Sequence, residues 1–254
     1  MARTAISGRL SSRLGWRVAR LVDHRDETPT ARTLVIEVPD WPGHLPGQHV
    51  DLRLTAEDGY QAARSYSIAA PANGDRIELT VQRVPEGEVS PYLIEVFSVG
   101  YPVEVRGPVG GWFVWRPTGT APVLLVAGGS GIAPLMAMIR ARRATGSRVP
   151  FRLIYSVRTE RDIYYADELR SRARDDRGLD VAYVYTREAP DGWPSPARRI
   201  SVADVNTNGW PAPLEPDCFV CGPTGFVETV ADILVALGHD SQRVRTERFG
   251  PTGA

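Results

Sequence analysis

An antiparallel β-barrel followed by a parallel α/β sheet is the fold class this sequence predicts, on three observations. From Trp16 to about Val105, apolar and polar residues alternate in short runs, the period of half-buried strands. After Pro122, short apolar runs alternate with longer helix-like stretches, the pattern of right-handed βαβ units on a parallel sheet. Where the pattern changes, LLVAGGSGIAPLMAMIR (124–140) runs from an apolar strand through a glycine turn into a helix. Such a turn brings backbone N–H groups and the positive end of a helix dipole to one point.

The elements follow in order. Residues 1 to about 14 are small, polar and basic, and frayed ends are the expectation there. WRVARLVDHR, TARTLVIEVP, QHVDLRLT, ARSYSIAA, RIELTVQRV and YPVEVRGP then supply six strands. Gly and Pro break them roughly every 8 to 12 residues, as in barrels and sandwiches. One short helix is expected in VSPYLIEVFSVG, with Val89, Leu93, Val96 and Phe97 sharing a face. GPVGGWFVWRPTGTAP is turn-rich and reads as a junction, which divides the chain into domains at 15–118 and 119–254. In the second, VLLVAGG, PFRLIYSVR, LDVAYVYTRE and PDCFVCGPTG read as strands. IAPLMAMIRARRATG, DIYYADELRSRARDDRG and FVETVADILVALG read as helices, the first amphipathic with Leu135, Met136, Met138 and Ile139 on its apolar side.

Composition narrows the function. The 30 basic residues, all arginines, balance 30 acidic ones, so nothing favours a nucleic-acid partner. No apolar run approaches the ~20 residues of a membrane helix, and the N-terminus lacks the apolar stretch of a signal peptide. A soluble, cytoplasmic protein is the expectation. Cys218 and Cys221 are spaced C-x-x-C inside a strand, and the four histidines are scattered. Two thiolates do not complete a zinc or iron–sulfur site, so no metal is expected.

Several residues have the chemistry of a cofactor site. Gly129, Ser130 and Gly131 form the glycine turn, where a Cβ would block a close approach. In RSYS, Ser65 and Ser67 share one strand face, and Arg64 and Tyr66 the other. Arginine pairs with phosphate, tyrosine can lie on an aromatic ring, and serine can donate to a ring nitrogen. In PEGEVSPYL, Ser90 stands in an N-cap-like position before the short helix. Ligands of open α/β sheets bind at the carboxyl ends of the strands. The glycine turn, Ser156 and Arg158, Thr186 and Arg187, and Cys221-Gly222-Pro223 all fall at such ends.

In this order the motifs RSYS, GEVS, RGPVGGWF, GGSGIAP, YSVR, YTRE, CGPTG and ERFG resemble the ferredoxin–NADP reductase superfamily of flavoenzymes over nearly all of 16–250. The resemblance implies a flavin-binding barrel, a Rossmann-like nucleotide domain, and FAD and NADPH (or NADH) as cofactors. It implies that Arg64 binds the flavin pyrophosphate, Tyr66 stacks on the isoalloxazine, and Ser67 faces its N5, with Ser65 on the same strand. Val81 and Arg83 would line the flavin, and Glu88, Val89 and Ser90 would hold its phosphates. Gly129, Ser130 and Gly131 would support the pyrophosphate of the nicotinamide nucleotide, with Cys221, Gly222 and Pro223 beside the nicotinamide. Arg158, Arg187 and Arg199 resemble arginines that take a 2′-phosphate, which favours NADPH. Ser67, Cys221 and Glu247 would stand nearest the reacting atoms, and Phe249 near the flavin ring. Phe249 is followed by GPTGA where the family often ends.

The implied activity passes electrons from NAD(P)H through FAD to a separate ferredoxin or flavodoxin. The alternatives are an NADH-dependent reductase of an oxygenase or cytochrome P450 system, working through a separate iron–sulfur protein, and a flavin-binding regulatory subunit that does not turn over alone. An acidic carrier requires a basic rim near the flavin, for which Arg13, Arg17 and Arg20 are candidates.

Overall fold

The computed structural model describes residues 15–250; residues 1–14, with Arg13, and 251–254 lie outside the described residues. Six antiparallel strands come first: β1 (Arg17–Thr28), β2 (Ala31–Glu37), β3 (His49–Thr55), β4 (Gln61–Ser67), β5 (Arg76–Gln82) and β6 (Pro102–Val109). They are ordered β4-β3-β6-β1-β2-β5. An Ile68–Leu79 bridge brings the end of β4 to β5 and closes the sheet on itself. Leu34, Ile36, Val50, Leu52, Leu79 and Val105 fill the interior, as the period-two alternation requires.

The helix α1 (Ser90–Glu95) plugs the barrel with Val89, Leu93 and Phe97, all almost fully buried. Val96 departs from expectation: it is 52% exposed. The helix ends at Glu95, and Val96 is its C-cap, still in the right-handed region at φ −115°; its side chain lies on the solvent side, whereas Phe97 is buried.

The second half is a parallel sheet of β7 (Val123–Gly128), β8 (Phe151–Val157), β9 (Leu179–Tyr185), β10 (Asp217–Pro223) and β11 (Val244–Phe249), ordered β11-β10-β7-β8-β9. Its helices are α2 (Ile132–Ala144), α3 (Ala166–Asp175), α4 (Val202–Asn208) and α5 (Thr224–Ala236). α4 and β11 are not among the elements that the sequence predicts. The second helix of this half starts later than the sequence predicts: residues 160–162 form a separate 3₁₀ turn, and α3 starts only at Ala166.

The amphipathic reading of α2 is corrected as well. Every residue from Ile132 to Ile139 is buried. One side packs on the sheet, and the other meets Ala31, Ala69, Phe113 and Trp115 in the same core. A helix covered by two layers needs no polar stripe. The C-x-x-C cysteines lie on opposite sheet faces, Cys221 in this shared core and Cys218 in the core under α4 and α5. No helix among the described residues is long and apolar enough to cross a membrane.

β5 joins the halves. Ile77, Leu79 and Val81 point into the barrel, while the alternate residues Glu78, Thr80 and Gln82 face the α/β half. Glu78 accepts from Arg140 at 3.1 Å, Thr80 bonds the Tyr165 hydroxyl, and Gln82 lines a cavity at the strand ends.

Candidate active site between the two sheets

Three strand ends meet where the barrel touches the parallel sheet. Ser67 closes β4, Cys221 lies near the end of β10, and Glu247 is its registered neighbour on β11. Ser67 Oγ donates to Glu247 Oε1 at 2.6 Å, a bond between residues 180 apart in sequence. Burial raises the Glu247 carboxyl above its ordinary value, against the opposing pull of the Ser67 bond and the nearby His49. Burial also pushes the Cys221 thiol well up, and the Glu247 charge adds to it, so this sulfur stays protonated and is no nucleophile. His49, registered opposite Ser67 on β3, is a member of this group that the scattered histidines did not reveal.

Beside this group a cavity of about 310 Å³ opens at the carboxyl ends of β7, β8 and β10. Gly128, Gly129, Ser130, Ser156, Arg158, Thr186 and Pro223 line it, with Gln82 from the barrel and Phe249 from β11. The glycine turn is a 3₁₀ turn leading directly into α2. Gly129 has φ +54° and open space where a Cβ would point, a cradle suited to an anion. Gly131 is glycine for packing: a Cβ there would lie 2.1 Å from the Cys221 carbonyl oxygen. Gly222 is likewise closed in, by Phe226 and Gly128.

Of the three arginines expected on a 2′-phosphate, only Arg158 lines this cavity. Its guanidinium is held by Asp162 at 2.7 Å, and Asp162 also accepts from the Thr159 N–H and hydroxyl at 3.0 and 2.8 Å. Arg187 and Arg199 are exposed and outside the lining. Asp162, Tyr164, Gln82 and Phe226 line the cavity without having been singled out in the sequence. Gln82 was legible: it alternates with the core residue Val81. Asp162 was not, because its position depends on the 3₁₀ turn.

The barrel side is more open. Arg64 is exposed and reaches Glu88 at 3.1 Å, and Glu88 also accepts from the Tyr60 hydroxyl at 2.9 Å. A carboxylate repels phosphate, so only the Glu88 main chain can serve one. Tyr66 is largely buried, which pushes its hydroxyl up to about 12. Ser65 donates to Asp51 at 2.6 Å. Val81 faces the barrel core with no exposure, so its side chain lines no site, and any flavin contact is through its backbone. Arg83 pairs with Glu95 at 2.5 Å. Ser90 is corrected too: Val89 is the N-cap, and the Ser90 hydroxyl accepts the Val84 N–H at 3.0 Å. Arg17 donates to Gly107 and Arg20 to Gly100, along the outside of β1.

Comparison with known proteins matches both halves. Residues 19–114 fit the oxidoreductase FAD-binding domain model, and residues 125–232 the oxidoreductase NAD-binding domain model. The chain is 35% identical over 213 residues to the glycine betaine monooxygenase reductase subunit of Chromohalobacter salexigens, covering 82% of this chain and 57% of that protein. It is 32% identical over 215 residues to the ferredoxin–NAD(P)(+) reductase component of naphthalene 1,2-dioxygenase/salicylate 5-hydroxylase systems from a Ralstonia species, covering 82% and 61%. The chain therefore spans about 60% of the length of these relatives. Among solved structures, the FAD/NAD-binding domain of nitric oxide dioxygenase from Vibrio cholerae superposes with a TM-score of 0.81 at 25% identity, covering 92% of this chain and 99% of that one.

Proposed function

The chain belongs to the ferredoxin–NADP reductase superfamily, and on that premise we propose that it passes electrons from NAD(P)H through FAD to a separate one-electron carrier of an oxygenase system. The observation that carries this reading is the Ser67–Glu247 bond, which joins a barrel strand to an α/β strand beside the cavity at the sheet's carboxyl end. The two relatives named above, both reductase components of oxygenase systems, support the oxygenase context. Bound FAD would supply the exchange between a two-electron donor and a one-electron acceptor.

The residues present fit these groups. The open cradle at Gly129 and the hydroxyls of Ser130, Ser156 and Thr186 around the cavity suit a dinucleotide pyrophosphate. Arg64 would bind the flavin phosphate, exchanging Glu88 for it, and the Tyr66 ring would carry the isoalloxazine. Phe249 would shield the ring. Cys221 would set the nicotinamide position as a protonated, packed thiol. Ser67 has one hydrogen, given to Glu247 while that carboxyl is ionised. When Glu247 is protonated it can donate instead, which frees the Ser67 hydrogen for a ring nitrogen. The raised carboxyl supports such a relay.

Nucleotide choice turns on the Arg158–Asp162 pair. A 2′-phosphate has to displace a carboxylate from Arg158, whereas a 2′-hydroxyl can donate to that carboxylate. This supports NADH over the NADPH favoured by the arginine count, and with it a reductase dedicated to an oxygenase. The test is anaerobic absorption spectroscopy of the purified protein with each nucleotide. Flavin bands bleached faster by NADH are the expected result, and Asp162→Asn should shift the preference toward NADPH by about tenfold, the size of one lost charge repulsion. A protein that takes up no FAD overturns the reading. One that holds FAD but reduces no artificial acceptor with either nucleotide would instead be a regulatory subunit.

A further inference from the structure

Away from Ser67, the barrel and the α/β half are joined by a closed ring of hydrogen bonds. Thr33 Oγ1 donates to Glu27 Oε1 at 2.6 Å. Thr33 Oγ1 and Thr80 Oγ1 are 2.7 Å apart, and Thr80 Oγ1 bonds the Tyr165 hydroxyl. The Tyr165 N–H returns to Glu27 Oε2 at 3.0 Å. Three members lie on barrel strands β1, β2 and β5; the fourth immediately precedes α3.

The ring has one direction. Each hydroxyl carries a single hydrogen, and an ionised carboxylate only accepts. The Thr33 hydrogen goes to Glu27, so Thr80 must donate to Thr33 and Tyr165 to Thr80. Burial keeps the Tyr165 hydroxyl protonated, as this order requires. Tyr165 has φ +55°, a left-handed conformation that a tyrosine holds only when its surroundings impose it. That conformation aims its N–H at Glu27. Arg140 seals the arrangement, lying 5.0 Å over the Tyr165 ring and bonding Ala69 O and Glu78 of the barrel at 3.0 and 3.1 Å.

The ring is one step from the nucleotide cavity on both sides. Gln82, two residues beyond Thr80 on the same strand face, lines one wall, and Tyr164, the neighbour of Tyr165, lines another. We propose that Glu27, Thr33, Thr80 and Tyr165 form an interdomain clamp that fixes the distance between β5 and the Tyr164–Tyr165 segment, and so holds the nucleotide cavity at its working width. They are positioning residues. The link to the nucleotide rests on the proposed function; the clamp itself does not.

The experiment pairs Thr80→Val, which keeps the shape and removes the central hydroxyl, with Thr80→Ser, which restores it. Spin labels go on Val99→Cys in the barrel and Val235→Cys on α5, positions 58% and 52% exposed, while the native cysteines are buried and stay unlabelled. In the FAD-loaded protein, pulsed dipolar spectroscopy should give one narrow distance for the wild type and for Thr80→Ser, and a broadened one for Thr80→Val. Calorimetric titration should show NADH binding about tenfold weaker in Thr80→Val, as when only a tenth of the molecules are competent, with FAD affinity unchanged. Tyr165→Phe should repeat the pattern. Superimposable distance distributions in Thr80→Val, Tyr165→Phe and the wild type overturn the clamp. A broadened distribution with unchanged NADH affinity overturns its link to the cavity. A wild type that binds neither nucleotide defeats the functional reading, and the distance measurement still decides the clamp.

Discussion

The barrel and the α/β half meet in two unlike ways. At the end proposed to be reactive, the side-chain hydrogen bond is that of Ser67 to Glu247, at 2.6 Å, beside an open cavity. Behind it lie the closed ring at Tyr165, the Arg140 bonds to Ala69 and Glu78, and the apolar wedge of Phe113 and Trp115 against α2. The difference separates two tasks. A junction that fixes geometry needs many bonds made and no group free to titrate. A junction that handles protons needs a group whose bond can change direction, and that is incompatible with being locked.

If orientation resides in the packed junction, the largest loss of stability should come from disturbing it. Gly47 stands there at φ +99°, and a Cβ would lie 1.9 Å from the Phe113 carbonyl oxygen and 2.8 Å from Met138 Cε. The first neighbour is backbone and cannot yield cheaply. Gly47→Ala should therefore cost about 3 kcal/mol through overpacking and an unsuitable φ, a fall in Tm of roughly 10 °C for a chain of this size. Thermal melting followed by near-UV circular dichroism measures it. A Tm within a degree or two of wild type would mean the packed junction is not what holds the halves together.

The reactive junction should behave in the opposite way. Ser67→Ala removes one partly exposed hydrogen bond, which contributes about 1 kcal/mol to stability. Its effect on flavin reduction by nucleotide should be far greater, on the order of 100-fold, as when one preorganised donor to a reacting centre is lost. Stopped-flow reduction with FAD affinity measured alongside separates the two. An unchanged rate removes Ser67 from the chemistry and leaves the bond a structural one.

The same contrast explains what could be read from the sequence. The strands of both sheets were legible because period-two runs and short apolar runs report local burial. RSYS, GGSG and CGP were legible because they are contiguous. What was not legible depends on packing between distant segments. α2 looked amphipathic because a sequence does not say that a second layer covers its other side. β11 carries four charged or polar residues among its six, so nothing apolar announced it. The short α4 does carry a sequence signal, the Ser201–Asp204 capping box. The resemblance places Val81 along the flavin, while strand alternation turns its side chain into the barrel core. The Thr33, Thr80 and Tyr165 hydroxyls read as ordinary strand and helix residues; two strands and a loop bring them together.

Keeping a titrating group at the reactive junction has a cost in stability. Burial raises the Glu247 carboxyl, and the Ser67 bond and His49 only partly offset it. The folded state then holds its proton at a pH where the unfolded chain has released it. Linkage gives the sign: wherever the folded state binds more protons, stability falls as pH rises. The contribution is present in full below the unfolded carboxylate value, near 4.3 for glutamate, and is lost as pH climbs through the raised folded value. Glu247→Gln removes the titration and keeps an oxygen to accept from Ser67. The difference in Tm between Glu247→Gln and wild type should therefore grow in the variant's favour from about pH 4 upward, and level off once the folded carboxyl has ionised. The change is small beside that of Gly47→Ala, because a single partly solvated group is involved. A difference that is flat with pH, or that grows toward acid, would mean the folded Glu247 releases its proton at or below the pH at which the unfolded chain does, and so is ionised at neutral pH. Ser67 would then have no free hydrogen to give a ring nitrogen, and the relay would have to be abandoned.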